Sequence, residues 1–396
     1  MLPHRLSRDL RLLITFGAFR TVSDLFLGAF FISFIMHFSP IEIVSVSTYK
    51  LFEYTATCVG FFLVANLVKK YSKRLVFALN LVPKILLLLA IIFLGDIAVE
   101  YVVPLGLLYG ISAAMYHLPR HVITADMVSA DKMGHFVGTK NAVGYLVKVI
   151  APVFLGLFID IGSYTAMAHV LLFASFIELF LMIWFKPRAN RNANRTDFIG
   201  FYRCVSRFPT LRKMFLMEIL RGFGLGLLGT VVTMYAVYIF HSDLNLGILT
   251  TVFSLCSVTA CWIVRNICHA STYRNVLLVC VLLFFIAMSM FVYKTTPITF
   301  LIYSFIYSTA IVFMEQINNV SVYRLARSRC INDDMRIEYF VIHDFALFIG
   351  RWIGFVGLMY IGVFGGYSSL RWYLLLIGLA IIGWGLLNRN MLTSRK

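Results

Sequence analysis

Thirteen ionisable side chains lie inside stretches that are otherwise apolar enough to cross a bilayer: Arg20, Asp24, Lys50, Glu53, Lys84, Lys140, Lys148 and Glu178 in the first half, and Glu218, Arg221, Glu315, Asp344 and Arg351 in the second. A charge at bilayer depth costs roughly 2.5–3.5 kcal/mol on insertion scales unless it meets a partner or water. Such a density implies a polar cavity between the two halves of the chain. Spacing supports local pairs: Arg20 with Asp24 four residues on, Lys50 with Glu53 three on, and Glu218 with Arg221 three on, each on one helix face. His117, Arg120 and His121 share a face beside Pro119, and Lys140, Gly144 and Lys148 form a stripe. The cations Arg20, Lys50, Lys140, Lys148, Arg221 and Arg351 are the candidates for holding an anionic group, since guanidinium groups grip carboxylate or phosphate in bidentate fashion. The carboxylates Asp24, Glu53, Glu218, Glu315 and Asp344, with His343, are the candidates for taking up and releasing a proton. Each pair serves equally as a clasp that fixes helix packing, and for Arg20–Asp24 and Glu218–Arg221 both readings stand. Lys84 after Pro83, Glu178 and His169 read as structural. In the first half five cations face three acids, which favours an anionic cargo there; in the second half two cations face three acids.

No enzyme constellation is present: no HExxH, DDxxD, GxSxG or nucleotide-binding loop. Asp333-Asp334 reads as a solvated acidic pair in a basic turn. The seven cysteines are scattered without metal-ligand spacing, and Cys256, Cys261, Cys268 and Cys280 read as small buried hydrophobes. Neither a metal nor another cofactor is expected.

The elements that must position these groups follow from composition. Of 396 residues, 60% are hydrophobic and only 13% charged, against about 25% charged in a soluble domain. Spans of roughly 20 apolar residues cross a bilayer. They are expected near 12–37, 42–67, 75–95, 101–119, 136–158 and 164–185, and again near 214–240, 245–267, 275–293, 297–323, 338–363 and 370–388. The first run lacks a small-residue cleavage site and is expected to stay as a span. The net charge of +17 is a topology signal rather than a nucleic-acid one. With both termini cytoplasmic, 26 of the 35 Lys and Arg fall on the cytoplasmic side and only Lys294 and Arg371 on the other; this is the positive-inside bias. The expected location is a bacterial cytoplasmic membrane, with membrane lipids as neighbours, no nucleic-acid partner, and a monomer as the working unit.

The longest polar interval, Lys186 to Lys213, divides the chain. A repeat crosses it: Arg20 precedes Gly28 by eight as Arg221 precedes Gly229, Tyr109 precedes His117 by eight as Tyr307 precedes Glu315, and Lys140, Asn141 and Lys148 match His343, Asp344 and Arg351. The expected domains are a six-helix bundle over 1–185, a basic linker over 186–213 and a second bundle over 214–396. Parallel duplication of a six-span unit is a transporter architecture.

With twelve spans, two matched halves and a basic amphipathic connector, the chain resembles the major facilitator superfamily over nearly its whole length. FYRCVSRFPTLRKMFL is similar to the lead-in to that family's seventh helix. The signature turn between helices two and three here runs Ala65 to Arg74. Its basic end survives in Lys73 and Arg74, while Ala65, Lys69 and Ser72 replace the family's glycine, acid and glycine. The resemblance implies an all-α membrane protein of two pseudo-symmetric six-helix bundles. It also implies a secondary transporter working by alternating access; the charges within the spans point to proton coupling and to an anionic or amphipathic organic cargo.

Two alternatives remain. A proton–drug antiporter would carry an arginine in the fourth helix, where this chain has Gly106 ahead of Gly110; Ala151-Pro152 and Gly156 only hint at that subgroup's fifth-helix motif. A lipid or lipid-linked glycan flippase is suggested by Met217 to Gly222, which is similar to an acid-x-x-arginine stretch of glycolipid flippases, and by the uncharged eighth and ninth spans.

Overall fold

The computed structural model describes residues 7–128, 130–187, 196–267, 273–326 and 335–393. Asp333-Asp334, Cys268 and the basic residues Arg188, Arg191, Arg195, Arg327 and Arg329 lie outside the described residues. Every regular element among those described is helical. In chain order these are α1 (Arg8–Phe38), α2 (Glu42–Lys70), α3 (Lys73–Leu79 and Leu81–Leu94), α4 (Val102–Met127), α5 (Ala130–Ile161), α6 (Tyr164–Leu181) and α7 (Phe198–Arg207). There follow α8 (Pro209–Phe240), α9 (Asp243–Ile267), α10 (Tyr273–Tyr293), α11 (Pro297–Ala326), α12 (Arg336–Phe364) and α13 (Gly366–Thr393).

All but α7 are long and apolar enough to cross a membrane. The apolar run Lys73–Thr124 holds two crossings, because the chain turns at Gly95 and through a 3-10 segment to Tyr101 before α4 begins. With that run divided, the eleven apolar runs of the described residues make twelve crossings. Large apolar side chains such as Phe93, Phe154, Phe173, Ile286 and Tyr360 remain exposed along them, as a lipid-facing surface requires. Local chemistry sets the ends. Ser72 accepts from the Leu75 N–H and Ser163 from the Ala166 N–H, capping α3 and α6. Pro209 opens α8 at a position where its missing N–H is not needed.

Several boundaries differ from the sequence expectation. The fourth crossing does not stop at Pro119 but continues to Met127. Proline removes one backbone bond, and the extension is held from outside its own helix: Lys73 Nζ is ion-paired with Asp126 near its end. The fifth helix begins at Ala130 rather than 136. The polar interval 186–213 contains a helix of its own, α7. Phe201 on its inner face is buried and meets the Tyr339 ring edge-on at 6.4 Å, while Asp197 at its start donates its N–H to Glu338 at 3.0 Å.

The chain forms two compact units. The first comprises Met1–Phe34, Phe52–Thr196 and Asp243–Thr251; the second comprises Ile35–Leu51, Asp197–Ser242 and Val252–Lys396. Each unit therefore includes one short segment drawn from the other half of the sequence.

Candidate functional site

In the first unit, charges are organised around Arg20 on α1. Its Nε lies 2.7 Å from Asp24 Oδ1, confirming the i,i+4 pair. Its Nη1 donates to Ser112 Oγ on α4 at 3.1 Å. The guanidinium also sits over the rings of Tyr109 and Tyr116, 5.1 and 5.3 Å from their centroids, a favourable place for a desolvated cation. Tyr109 donates its hydroxyl to the same Asp24 Oδ1 at 2.6 Å. A paired cation and a phenolic donor thus converge on one oxygen of Asp24, whose side chain is 40% exposed at mid-crossing. In the sequence Tyr109 stands out only through the repeat that pairs it with Tyr307. Its phenol positions a carboxylate.

Lys84 on α3 and Glu178 on α6 form a buried ion pair, their side chains 2% and 6% exposed. The two charges neutralise each other away from solvent, in line with the structural role read from sequence. The expected first-half excess of cations is therefore narrower than the residue count suggests, because Arg20 and Lys84 both have carboxylate partners. Lys140 on α5 is half-buried and Lys148 exposed, its Nζ 5.7 Å from the Tyr145 ring centroid. Gly144 between them borders open space. Lys148 lies near the middle of a crossing, where exposure to hydrocarbon would be costly. Glu53 is buried in this unit, and Lys50 is buried in the other.

In the second unit, α8 and α12 approach until backbone meets backbone. A Cβ on Gly222 would stand 2.1 Å from the Leu347 carbonyl oxygen, and one on Gly350 would stand 1.9 Å from that of Ile219. Only glycine admits this approach, and it places Glu218 against His343. Arg221 holds Glu218 Oε2 with Nε at 2.7 Å and Nη2 at 2.6 Å. His343 Nε2 faces Glu218 Oε1 at 3.4 Å, and its Nδ1 meets Asp344 Oδ1 at 3.1 Å. The result is a chain of four groups, Arg221–Glu218–His343–Asp344. It runs from a 1% exposed carboxylate through the imidazole to one that is 23% exposed. A neutral imidazole can accept a proton at one nitrogen and release one from the other. Arg351 is half-buried about two turns further along α12, its stem packed against Gly226. Glu315 is exposed near the end of the α11 crossing, its charge within electrostatic reach of Arg221. Among the described residues no three His, Cys, Asp or Glu side chains converge as a metal-ion site would require.

The model of the Major Facilitator Superfamily matches residues 12–331. No curated protein sequence matches the chain. Among solved structures, a bacterial homologue of the iron transporter ferroportin is similar in two states. The inward-facing state has a TM-score of 0.68 over 99% of this chain and 100% of that one. The outward-facing state with soaked iron has a TM-score of 0.70 over 98% and 100%. A structure described as a bacterial metal transporter has a TM-score of 0.61 over 99% and 100%. All three are 14% identical to this chain, so the likeness is one of fold. With the family model spanning most of the sequence and the helices arranged as that fold requires, the chain belongs to the major facilitator superfamily and is a multi-pass membrane transporter rather than an enzyme.

Proposed function

We propose that the chain is a proton-coupled secondary transporter whose cargo carries an anionic group, with both termini on the cytoplasmic side. One observation carries the coupling: His343 stands between a buried carboxylate, Glu218, 3.4 Å from its Nε2, and a partly exposed one, Asp344, 3.1 Å from its Nδ1. A proton arriving at Asp344 can pass through the ring to Glu218, and its arrival loosens Glu218's hold on Arg221. Proton binding and a change in the cation's availability are thereby linked through shared atoms, which is what coupling requires. The anionic cargo is supported by Lys148, exposed near the middle of its crossing and one turn along α5 from Gly144, where an added side chain would meet no neighbour. Alternating access, the termini's orientation and action as a monomer are part of this reading.

A second reading is a divalent metal cation as cargo. It is favoured by the similar structures, whose descriptions name iron and metal transport, and by Asp24, which keeps one oxygen clear of the Arg20 and Tyr109 contacts. The lack of a converging ligand set among the described residues weighs against it.

Proteoliposome flux separates the two. Purified protein is supplied with a panel of organic anions or with Fe2+, Co2+ and Mn2+, each with and without a pH gradient. Uptake of an organic anion that responds to the gradient, and loses that response in Asp344→Asn, supports the first reading. Uptake of metal alone, abolished by an impermeant chelator, replaces it with the second. Lipid release without solute uptake would favour a flippase over both.

A further inference from the structure

Two carboxylate–tyrosine contacts outside the site match each other across the sequence repeat. Glu42, in the first turn of α2, accepts a hydrogen bond from the Tyr367 hydroxyl at the start of α13, at 2.6 Å. Asp243, in the first turn of α9, accepts one from the Tyr164 hydroxyl at the start of α6. The acids stand 201 residues apart and the tyrosines 203, the same offsets that relate Arg20 to Arg221 and Lys148 to Arg351. In each contact the acid comes from one half of the sequence and the tyrosine from the other. In chain order, both acids begin a helix that follows an odd number of crossings from the N-terminus.

These contacts belong to the two segments that reside with the other half's helices. Segment Ile35–Leu51, with Glu42, is part of the second unit, and Asp243–Thr251 is part of the first. Each is fastened further along. In the second unit, Thr48 Oγ1 reaches Met359 Sδ at 3.7 Å, and Tyr367 stacks on Tyr238 with centroids 4.1 Å apart. In the first, Thr251 Oγ1 donates to the Val149 carbonyl at 2.9 Å, the Leu244 N–H donates to Asp160 at 3.3 Å, and Phe34 packs edge-on to the Tyr164 ring at 5.0 Å. A carboxylate at a helix start is also favoured by the helix's own free N–H groups. Each acid is thus held twice, by its own helix and by a phenol from the other half.

We propose that Glu42–Tyr367 and Asp243–Tyr164 are paired latches. They hold these two segments in the units where they now reside, and both must release for the face opposite the termini to open. The inference rests on the transport reading above. Neither latch contains a group assigned to cargo or to the proton path, and their matched placement gives the two halves equivalent fastenings. Losing one phenolic donor leaves the ring, and so the packing, in place. At Tyr367 it removes the bond to Glu42, and at Tyr164 it removes the bond to Asp243 together with a hydrogen bond to Ser33.

The test is labelling of Gly28→Cys, a position on α1 where an added side chain meets no neighbour. A membrane-impermeant maleimide is applied from the face opposite the termini in oriented proteoliposomes, against a parent holding only the native cysteines. Tyr164→Phe and Tyr367→Phe should each raise the labelling rate about tenfold, the equilibrium shift that loss of one hydrogen bond to a charged group produces, and the double variant should raise it further. Glu42→Gln provides the same readout from the acid's side if a tyrosine variant folds poorly. Tyr373→Phe removes a buried hydroxyl bonded to the Gly354 carbonyl outside either latch and should leave labelling unchanged. Unchanged labelling in both single variants and the double overturns the proposal, as does an equal rise in Tyr373→Phe. The assay needs neither cargo nor a pH gradient, so its failure leaves the proton-coupling proposal standing.

Discussion

Lys84 and Glu178, 94 residues apart in sequence, meet as a buried ion pair between the third and sixth crossings. Removing one partner leaves a lone charge where neither lipid nor water can stabilise it. Glu178→Leu should destabilise the protein by about 3–5 kcal/mol, while the double replacement Lys84→Met with Glu178→Leu should recover most of that loss. Thermal unfolding in detergent measures both. Transport by the double variant should stay near the parent's, because the pair touches neither the Asp24 cluster's exposed oxygen nor the His343 chain.

Tyr109→Phe removes the hydroxyl that donates to Asp24 Oδ1 and leaves the ion pair with Arg20. A hydrogen bond to a charged group contributes roughly 1.5–3 kcal/mol. Asp24 is partly exposed and retains Arg20, so most of that effect should appear in function rather than folding. The expected outcome is uptake reduced severalfold with an unfolding temperature within a few degrees of the parent's. A large fall in unfolding temperature with normal uptake would assign Tyr109 to packing.

Much of the architecture is legible because lipid imposes simple rules. Span length, the sorting of basic residues and the density of mid-span charges all follow from the cost of desolvating polar groups, and Arg20–Asp24 and Glu218–Arg221 follow from helical spacing alone. Other contacts were hidden because they join helices whose adjacency no local pattern encodes. Lys84 with Glu178, His343 with Glu218, and Tyr109 with Asp24 are of this kind. Pro119 misled for a related reason: the proline rule is local, whereas the Lys73–Asp126 contact that holds the helix beyond it is not.

Gly350→Ala should be among the most damaging single-methyl changes in the chain. Its Cβ would stand 1.9 Å from the Ile219 carbonyl oxygen and 2.7 Å from the Phe223 nitrogen, both backbone atoms that cannot swing aside. Relief requires α8 and α12 to move apart, which costs about 1–3 kcal/mol for overpacking of this kind and pulls His343 away from Glu218. The variant should show both a lowered unfolding temperature and a weakened response of uptake to pH gradients. Restoration of that response without restoration of stability would separate the two consequences and contradict a shared cause.

His343→Gln isolates the proton path. Glutamine can still hydrogen-bond to Asp344 or Glu218, yet it cannot bind a proton at one end and release it from the other. Net uptake driven by a pH gradient requires that transfer; exchange of cargo for cargo does not. The parent should therefore respond to an imposed gradient, accelerating with acid on the cargo side if proton and cargo move together and slowing if they move in opposite directions. The variant should respond in neither sense while still exchanging labelled for unlabelled cargo at a rate close to the parent's, since exchange needs no net proton transfer. Loss of exchange together with loss of the gradient response would place His343 in cargo binding instead, and an intact gradient response would remove it from the coupling path altogether.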